Sequence, residues 1–148
     1  MKTYKSNEIK NIALLGNDGS GKTTLTESLL FEAGIIKRRG RITQQNTVSD
    51  YFPVEHEYGY SVFSTVFHTE FNGKKLNIID CPGADDFVGQ ALTALHVTDT
   101  AILLINGQVG PEVGTQNHFR YTENLKKPVI FLVNQLDAEK CDYATTVD

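Results

Sequence analysis

The most constraining feature of this chain is a glycine-rich segment, Gly16-Asn17-Asp18-Gly19-Ser20-Gly21-Lys22-Thr23, which fits the pattern G-x-x-x-x-G-K-[ST]. An apolar run at residues 12–15 precedes it, and apolar residues at helical spacing follow it as far as Gly34, a candidate helix C-cap. In such a strand–loop–helix unit, backbone N–H groups surround the phosphates, the lysine contacts the β- and γ-phosphates, and the Thr23 hydroxyl binds Mg²⁺. An ordinary glycine-rich turn is the alternative. The pattern favours a nucleoside triphosphate site whose contacting residues are Asn17, Asp18, Gly19, Ser20, Gly21, Lys22, Thr23 and Thr24.

Length and charge limit the kind of protein this can be. The 148 residues carry a net charge of −4, which suits one domain with no general attraction to nucleic acid. Residues 37–41 (Lys-Arg-Arg-Gly-Arg) form a local basic cluster, for which a solvated loop is the simpler interpretation. There is no apolar stretch of membrane-spanning length or signal-peptide core, and Cys81 and Cys141 form no metal-binding pattern. We therefore expect a cytoplasmic, monomeric domain over residues 1–148, without a membrane or DNA partner.

Strand-like and helix-like segments alternate along the chain. Strands are predicted at residues 62–71 and 74–80, and they flank Asn72-Gly73, the strongest short hairpin signal. A helix near 87–95, a strand at 101–105, a helix at 115–126 and a strand at 129–133 follow. This order predicts an α/β, three-layer P-loop NTPase fold, with a mostly parallel sheet and antiparallel second and third strands. Residues 37–60 show neither period, so we expect a functional loop beside the phosphates.

Asp80-Cys81-Pro82-Gly83 directly follows one of the apolar strands. A carboxylate at this strand end can hold Mg²⁺, usually through water, and Gly83 lets the backbone approach a γ-phosphate. Taken alone the motif is weak, because Asp before Pro-Gly is also a common turn.

Asn134-Gln135-Leu136-Asp137 follows the last predicted strand and resembles the base-recognition motif N-K-x-D. The Asp137 carboxylate can accept hydrogen bonds from guanine N1–H and the exocyclic amine, donors that adenine does not present on that edge. A helix cap or turn is the alternative for N-x-x-D alone. Three motifs in the correct order, each after its own strand, nevertheless form a strong joint signal.

Together these motifs make the chain similar to the amino-terminal part of a translational GTPase, most of all elongation factor G. The resemblance runs from residue 10 to residue 137 and includes Glu57-Tyr58-Gly59 and residues 76–83. It implies binding of GTP or GDP with Mg²⁺ and action on the ribosome in translocation. It also implies a first switch at residues 37–61, in which Ser61 is a magnesium ligand, and a second at about 80–95. Only eleven residues follow Asp137, so a truncated GTP-binding domain lacking a sixth strand is expected.

Departures from the family pattern bear on hydrolysis. Ala84 occupies the position of the histidine that orients the attacking water, so no catalytic residue is assigned with confidence, and hydrolysis is expected to be slow. His56 in the loop is a weak substitute. Gln135 replaces the base-motif lysine and keeps its methylenes without the charge. Alternatives are a non-hydrolysing, GTP-switched ribosome-binding module and a ribosomal protection protein of the tetracycline-resistance kind. A small-molecule kinase is disfavoured because it would leave Asn134 and Asp137 unused.

Overall fold

The computed structural model describes residues 2–139, 141 and 143–147, and within them a single five-stranded sheet. Its strands are β1 (Ile9–Gly16), β2 (Thr65–Phe71), β3 (Lys74–Asp80), β4 (Thr100–Asn106) and β5 (Val129–Asn134). They lie in the order β2-β3-β1-β4-β5, and every neighbouring pair is parallel except β2 and β3. The predicted fold class, including the antiparallel second and third strands, is confirmed.

Helices cover both faces of this sheet. The described residues form five α-helices, α1 (Lys22–Glu32), α2 (Pro53–Tyr58), α3 (Val88–Val97), α4 (Val113–Asn124) and α5 (Tyr143–Val147), of which α1, α3 and α4 pack on the sheet. The main apolar core lies between helices α3 and α4 and one face of β1 and β4, where Leu15, Leu95 and Leu103 are almost fully buried. Helix α1 packs on the opposite face against β1 and β3. No helix among the described residues is long and apolar enough to cross a membrane.

The β2–β3 hairpin turns at Asn72-Gly73, as the sequence predicts. Both residues have positive φ, 48° for Asn72 and 73° for Gly73, as a two-residue hairpin turn of type I′ requires. The turn fixes the register in which Phe71 pairs with Lys74 and Thr65 pairs with Asp80. The antiparallel strand thereby places residues 61–64, just before β2, beside the carboxyl end of β3.

Some predicted elements differ in the structure; β2, for example, begins at Thr65 rather than at residue 62. The segment 37–60 contains the short helix α2, which Pro53 begins and Gly59, at φ 75°, ends. Six residues are fewer than two turns, too short for a periodic pattern to reveal. Helix α4 begins and ends two residues earlier than predicted. Its end precedes Lys126, which adopts a left-handed backbone with φ 52° and cannot continue the helix.

The parallel strands bring their carboxyl ends to one edge of the sheet. Leu14 pairs with Asp80, Gly16 with Leu104, and Asn106 with Asn134. Three motifs far apart in sequence therefore meet at this edge. At the side of the sheet, β5 is an edge strand, on which Ile130 and Phe131 are more than half exposed. The expectation that the GTP-binding domain is truncated and lacks a sixth strand stays a prediction.

Candidate nucleotide-binding site

The loop between β1 and α1 has the backbone that its glycines allow. Gly16, Gly19 and Gly21 have φ values of 137°, 72° and 96°, where side chains other than glycine are strained. A Cβ on Gly16 would also lie 2.9 Å from Ser20 Oγ. Helix α1 begins directly after Gly21, so its unpaired N–H groups and positive end face the loop.

A cavity of about 320 Å³ lies over this loop. It is lined by Asp18, Gly19, Gly21, Lys22, Thr23, Thr24, Ser61, Gly83 and Gln135 from the predicted set, and also by Ile42, Asp50, Gly59 and Tyr60. The structure therefore brings residues from the phosphate loop, the first switch, the second switch and the base motif around one space. Among the predicted residues, Asn17, Ser20, Asn134, Asp80 and Asp137 are not part of this lining.

Lys22 lies across the phosphate loop. The residue is only 5% exposed, and its ammonium donates hydrogen bonds to the carbonyls of Gly16 (3.0 Å) and Asn17 (2.9 Å). Burial lowers the pKa of Lys22, and the nearby Asp80 carboxylate opposes that effect. A Cβ on Gly83 would collide with the Lys22 ammonium and with the Asp18 N–H, so only glycine allows this approach.

Hydroxyl and carboxylate groups suited to Mg²⁺ converge beside Lys22. Thr23 Oγ1 lies 3.3 Å from Ser61 Oγ, and Ser61 donates a 2.6 Å hydrogen bond to Asp50 Oδ1. Asp80 is 1% exposed, and neither of its oxygens has a donor in good hydrogen-bond geometry among the described residues, although the Thr23 and Ser49 hydroxyls lie near enough to act on its pKa. Burial raises the pKa of Asp80 to about 6, although Lys22 acts to lower it. A buried carboxylate without a partner beside hydroxyl oxygens fits a hard cation such as Mg²⁺.

Asp50 is a member of this group that sequence reasoning did not identify. It is 5% exposed, its Oδ2 has no hydrogen-bond partner among the described residues, and burial raises its pKa. The available signal was a carboxylate inside a loop expected to lie near the phosphates. No cluster of three or more His, Cys, Asp or Glu side chains able to hold a metal occurs in the described residues. A cation here would therefore need oxygen ligands from phosphate or water as well.

Two buried glutamates hold the first switch in place. Glu27 on α1 is 1% exposed and accepts hydrogen bonds from Gly40 N–H (2.6 Å) and Val48 N–H (2.5 Å). Glu55 on α2 likewise accepts the N–H groups of Phe52, Val62 and Phe63, at 3.1–3.2 Å. These contacts link the irregular segment to the helix that begins at the phosphate loop, and to the start of β2.

Replacing Glu27 with glutamine is expected to loosen the first switch. The amide keeps one acceptor oxygen but presents an NH₂ group to the second backbone donor, which leaves a buried N–H unpaired at a cost of about 1–3 kcal/mol. Cleavage by trypsin within residues 37–41 should then be about fivefold faster or more, because cleavage follows the open population. Glu32→Gln, an exposed position on the same helix, is the matched control. Equal cleavage rates for the two variants would show that Glu27 does not hold the loop.

Ala84, the residue directly after Gly83, has no polar side chain that could orient a water molecule. Ala84 is half-buried, has an extended backbone and precedes a 3-10 turn at Asp85–Phe87 that leads into α3. His56 Nε2 donates a 2.8 Å hydrogen bond to the Asp50 carbonyl. His56 lines a neighbouring cavity and not the cavity over the phosphate loop.

The base-motif residues brace the phosphate loop from β5. Asn134 Nδ2 donates to the Ser20 carbonyl at 2.9 Å, and Gln135 Nε2 donates to the Gly19 carbonyl at 2.7 Å. Gln135 thus contacts the loop through a neutral amide. Asp137 is exposed, two residues further along the same turn.

His118 on helix α4 contacts the phosphate loop, and the sequence did not predict this contact. His118 is 1% exposed, and its Nδ1 accepts the Gly16 N–H at 3.1 Å. Burial, helped by the Lys22 charge, lowers the pKa of His118 to about 4. The ring is therefore neutral, with its proton on Nε2. No local pattern signals this contact, because the two residues are 102 positions apart.

Comparison with known proteins agrees with this geometry. Residues 7–148 match the family described as the elongation factor Tu GTP-binding domain. An elongation factor G-like protein of Thermotoga maritima is 34% identical over 139 residues, which cover 94% of this chain and 20% of that protein. A mitochondrial ribosome-releasing factor 2 of Candida dubliniensis is 33% identical over 97% of this chain and 18% of its own length. The chain thus spans about a fifth of the length of the curated relatives it matches.

Solved structures show the same similarity. A structure from Thermus thermophilus superposes with a TM-score of 0.91 at 36% identity, covering 95% of this chain and 21% of that one. The translation elongation factor SelB of Methanococcus maripaludis, solved with the GTP analogue GppNHp, superposes with a TM-score of 0.70 over 93% of this chain and 25% of its own. At 18% identity, the second likeness shows the fold alone.

Proposed function

This chain belongs to the elongation factor Tu GTP-binding domain family, as an elongation factor G-like member, and we propose that it binds GTP or GDP with Mg²⁺ and acts as a GTP-controlled switch on the ribosome. The observation that carries the proposal is the convergence of Lys22, Thr23, Ser61 and Gly83 on one cavity, beside the unpartnered carboxylate of Asp80. We further propose that the protein is monomeric and cytoplasmic, without a membrane or DNA partner.

The phosphate loop would bind the nucleotide's phosphates through its backbone. The N–H groups at the start of α1 and the Lys22 ammonium supply positive charge where β- and γ-phosphate oxygens would lie. Lys22 needs to exchange its bonds to the Gly16 and Asn17 carbonyls for phosphate oxygens. Because its pKa is lowered by burial, a nearby anion would restore a more favourable environment for its charge.

Thr23, Ser61 and Asp80 would hold Mg²⁺, with Asp50 placed to accept hydrogen bonds from its water ligands. Bound there, the metal would neutralise developing charge on the phosphate oxygens. Ser61 lies in the first switch, so its recruitment would couple the γ-phosphate side of the site to the position of residues 37–61. Asn134 and Gln135, through their hydrogen bonds to the phosphate loop, would fix its position relative to the bound base. Asp137 would recognise guanine by accepting its hydrogen bonds.

Mg²⁺-dependent GDP binding is expected to weaken as the pH falls through about 6, the pKa of Asp80. That pKa is raised above the usual value of 3.8, so the carboxylate that a metal needs is present above pH 6 and lost below it. The apparent Mg²⁺ affinity should fall about tenfold per pH unit in the acid range. Fluorescent GDP binding titrated with Mg²⁺ from pH 5 to 7.5 measures this.

Asp80→Asn is the control for this pH dependence, because the phosphate groups of the nucleotide also titrate near pH 6. The variant should bind Mg²⁺ more weakly at pH 7.5 and should lack the part of the profile that Asp80 contributes. If the pH profile of Mg²⁺ affinity were unchanged in Asp80→Asn, Asp80 would not be a ligand of the metal.

Hydrolysis is proposed to be slow, because Ala84 offers no group to orient water. A second candidate function, favoured by the same residue, is a ribosome-binding module that GTP orders but that does not hydrolyse it. Single-turnover GTP hydrolysis by the protein, with and without ribosomes, separates the two. Slow but ribosome-stimulated hydrolysis supports the first function, and absence of any stimulation supports the second. A ribosomal protection function would instead appear as release of tetracycline from ribosomes.

A further inference from the structure

The basic loop, residues 37–41, carries charge that the nucleotide site does not use. Lys37, Arg38, Arg39 and Arg41 are all exposed, and none of them lines the cavity over the phosphate loop. Residues 33–49 contain these four cations and no acidic side chain, although the whole chain has a net charge of −4. The positive charge is therefore concentrated in one segment of an otherwise acidic protein.

These cations have no acidic partner within the described part of the protein. Among the described residues the only ion pair joins Lys2 and Glu70. Arg38 donates to the neutral Gln44 side chain at 3.2 Å, and the Arg39 guanidinium lies 5.5 Å from the centre of the Phe31 ring. The loop thus presents four uncompensated positive charges to the outside, with two guanidinium groups partly ordered by neutral neighbours.

The backbone of the basic loop is held in place. Gly40 N–H bonds to the buried Glu27 carboxylate at 2.6 Å, and Arg41 N–H bonds to Asn46 Oδ1 at 2.7 Å. A Cβ on Gly40 would lie 2.7 Å from Thr47 Cα, so this backbone packs tightly against the rest of the switch. A fixed display of cations loses less conformational entropy on binding than a flexible tail would.

We propose that the basic loop binds the phosphate backbone of RNA. Three of its four cations are arginines, whose planar guanidinium groups match phosphate oxygens and stack on bases. A lipid surface is disfavoured because residues 36–41 form no helix with an apolar face. The inference rests on the proposed ribosomal role. It specifies that role, since the RNA of a ribosome would present phosphate groups to this loop.

The basic loop is also connected to the candidate nucleotide site by hydrogen bonds and by the chain itself. Glu27 lies four residues after Thr23 on α1, and the same switch segment continues to Asp50 and Ser61 at the candidate metal site. RNA contact at the basic loop and nucleotide contact at the cavity are therefore joined by one short, hydrogen-bonded segment.

The test is the salt dependence of binding to a fluorescein-labelled RNA stem-loop of about twenty nucleotides, measured by anisotropy between 50 and 200 mM KCl. The wild-type chain should bind with an affinity that falls as salt rises. In R38A/R39A the slope of log affinity against log salt should shrink by about 1.5–2, and affinity at 50 mM should drop about tenfold. K74A/K75A, which removes the same charge at the β2–β3 hairpin, should leave both values near wild type.

Three results would overturn the proposal: no RNA binding by the wild type, equal effects of R38A/R39A and K74A/K75A, or binding to phosphatidylserine vesicles without binding to RNA. Circular dichroism melting of each variant checks that it is folded. Fluorescent GDP binding on the same wild-type sample separates this inference from the proposed function. A chain that binds GDP but not the RNA loses only the role of the basic loop, whereas a chain that fails to bind GDP loses the proposed function.

Discussion

Replacing Ala84 with histidine is expected to accelerate ribosome-stimulated, single-turnover GTP hydrolysis by about a hundredfold to ten-thousandfold. Ala84 directly follows Gly83, whose backbone already lies against the Asp18 N–H and the Lys22 ammonium. A side chain at this position therefore starts close to where a γ-phosphate would lie. The methyl group of alanine cannot orient a water molecule, but an imidazole can.

The effect should appear in turnover and not in binding. Lys22 and the phosphate loop contact the ground state of the nucleotide, so GTP affinity should change little in Ala84→His. Asp86→His, at an exposed position two residues later, is the matched control and should hydrolyse GTP at the wild-type rate. If wild-type hydrolysis is already as fast as in ordinary translocation factors, another group orients the water. His56 would be the first to test, although its ring is engaged with the Asp50 carbonyl.

Replacing Asp137 with asparagine is expected to abolish the preference for guanine over adenine nucleotides. The carboxylate can accept from two donors of guanine, whereas the asparagine amide presents one acceptor and one donor group. Losing hydrogen bonds to a charged group, each worth about 1.5–3 kcal/mol, should weaken GDP binding about a hundredfold or more. ATP binding should stay as weak as in the wild type.

Glu139→Gln is the control for this substitution, because Glu139 is an exposed carboxylate two residues further along the chain. It should leave the affinities for GDP and ATP unchanged. If Asp137→Asn retained full selectivity for guanine, the assignment of residues 134–137 as the base-recognition motif would be wrong.

Local patterns were enough to predict the fold and the centre of the site. Each depends on residues adjacent in sequence: the glycines that shape the phosphate loop, Asn72-Gly73 at the hairpin, and Asp80 and Asn134 at strand ends. The parallel sheet then brings these strand ends together, so their proximity follows from the fold class. Gly83 was assigned from the Asp-Cys-Pro-Gly turn and Ser61 through the family resemblance, and both line the same cavity in the structure.

The residues that sequence reasoning missed act through long-range contacts. Asp50 reaches Ser61 only because the irregular first switch folds back, and Glu27 reaches Gly40 and Val48 across thirteen and twenty-one positions. His118 meets the phosphate loop from a helix that packs beneath it. No period or short motif encodes such pairings, since each depends on how a loop or helix docks.

We propose above all that residues 16–23, 80–83 and 134–137 form one guanine-nucleotide site. The most direct measurement is displacement of a fluorescent GDP from the wild-type chain, in Mg²⁺ at pH 7.5, by GTP, GDP and ATP. GTP and GDP should displace the probe, while ATP at a hundredfold higher concentration should not. Displacement by ATP as effective as that by GTP, or failure of the probe to bind, would contradict it.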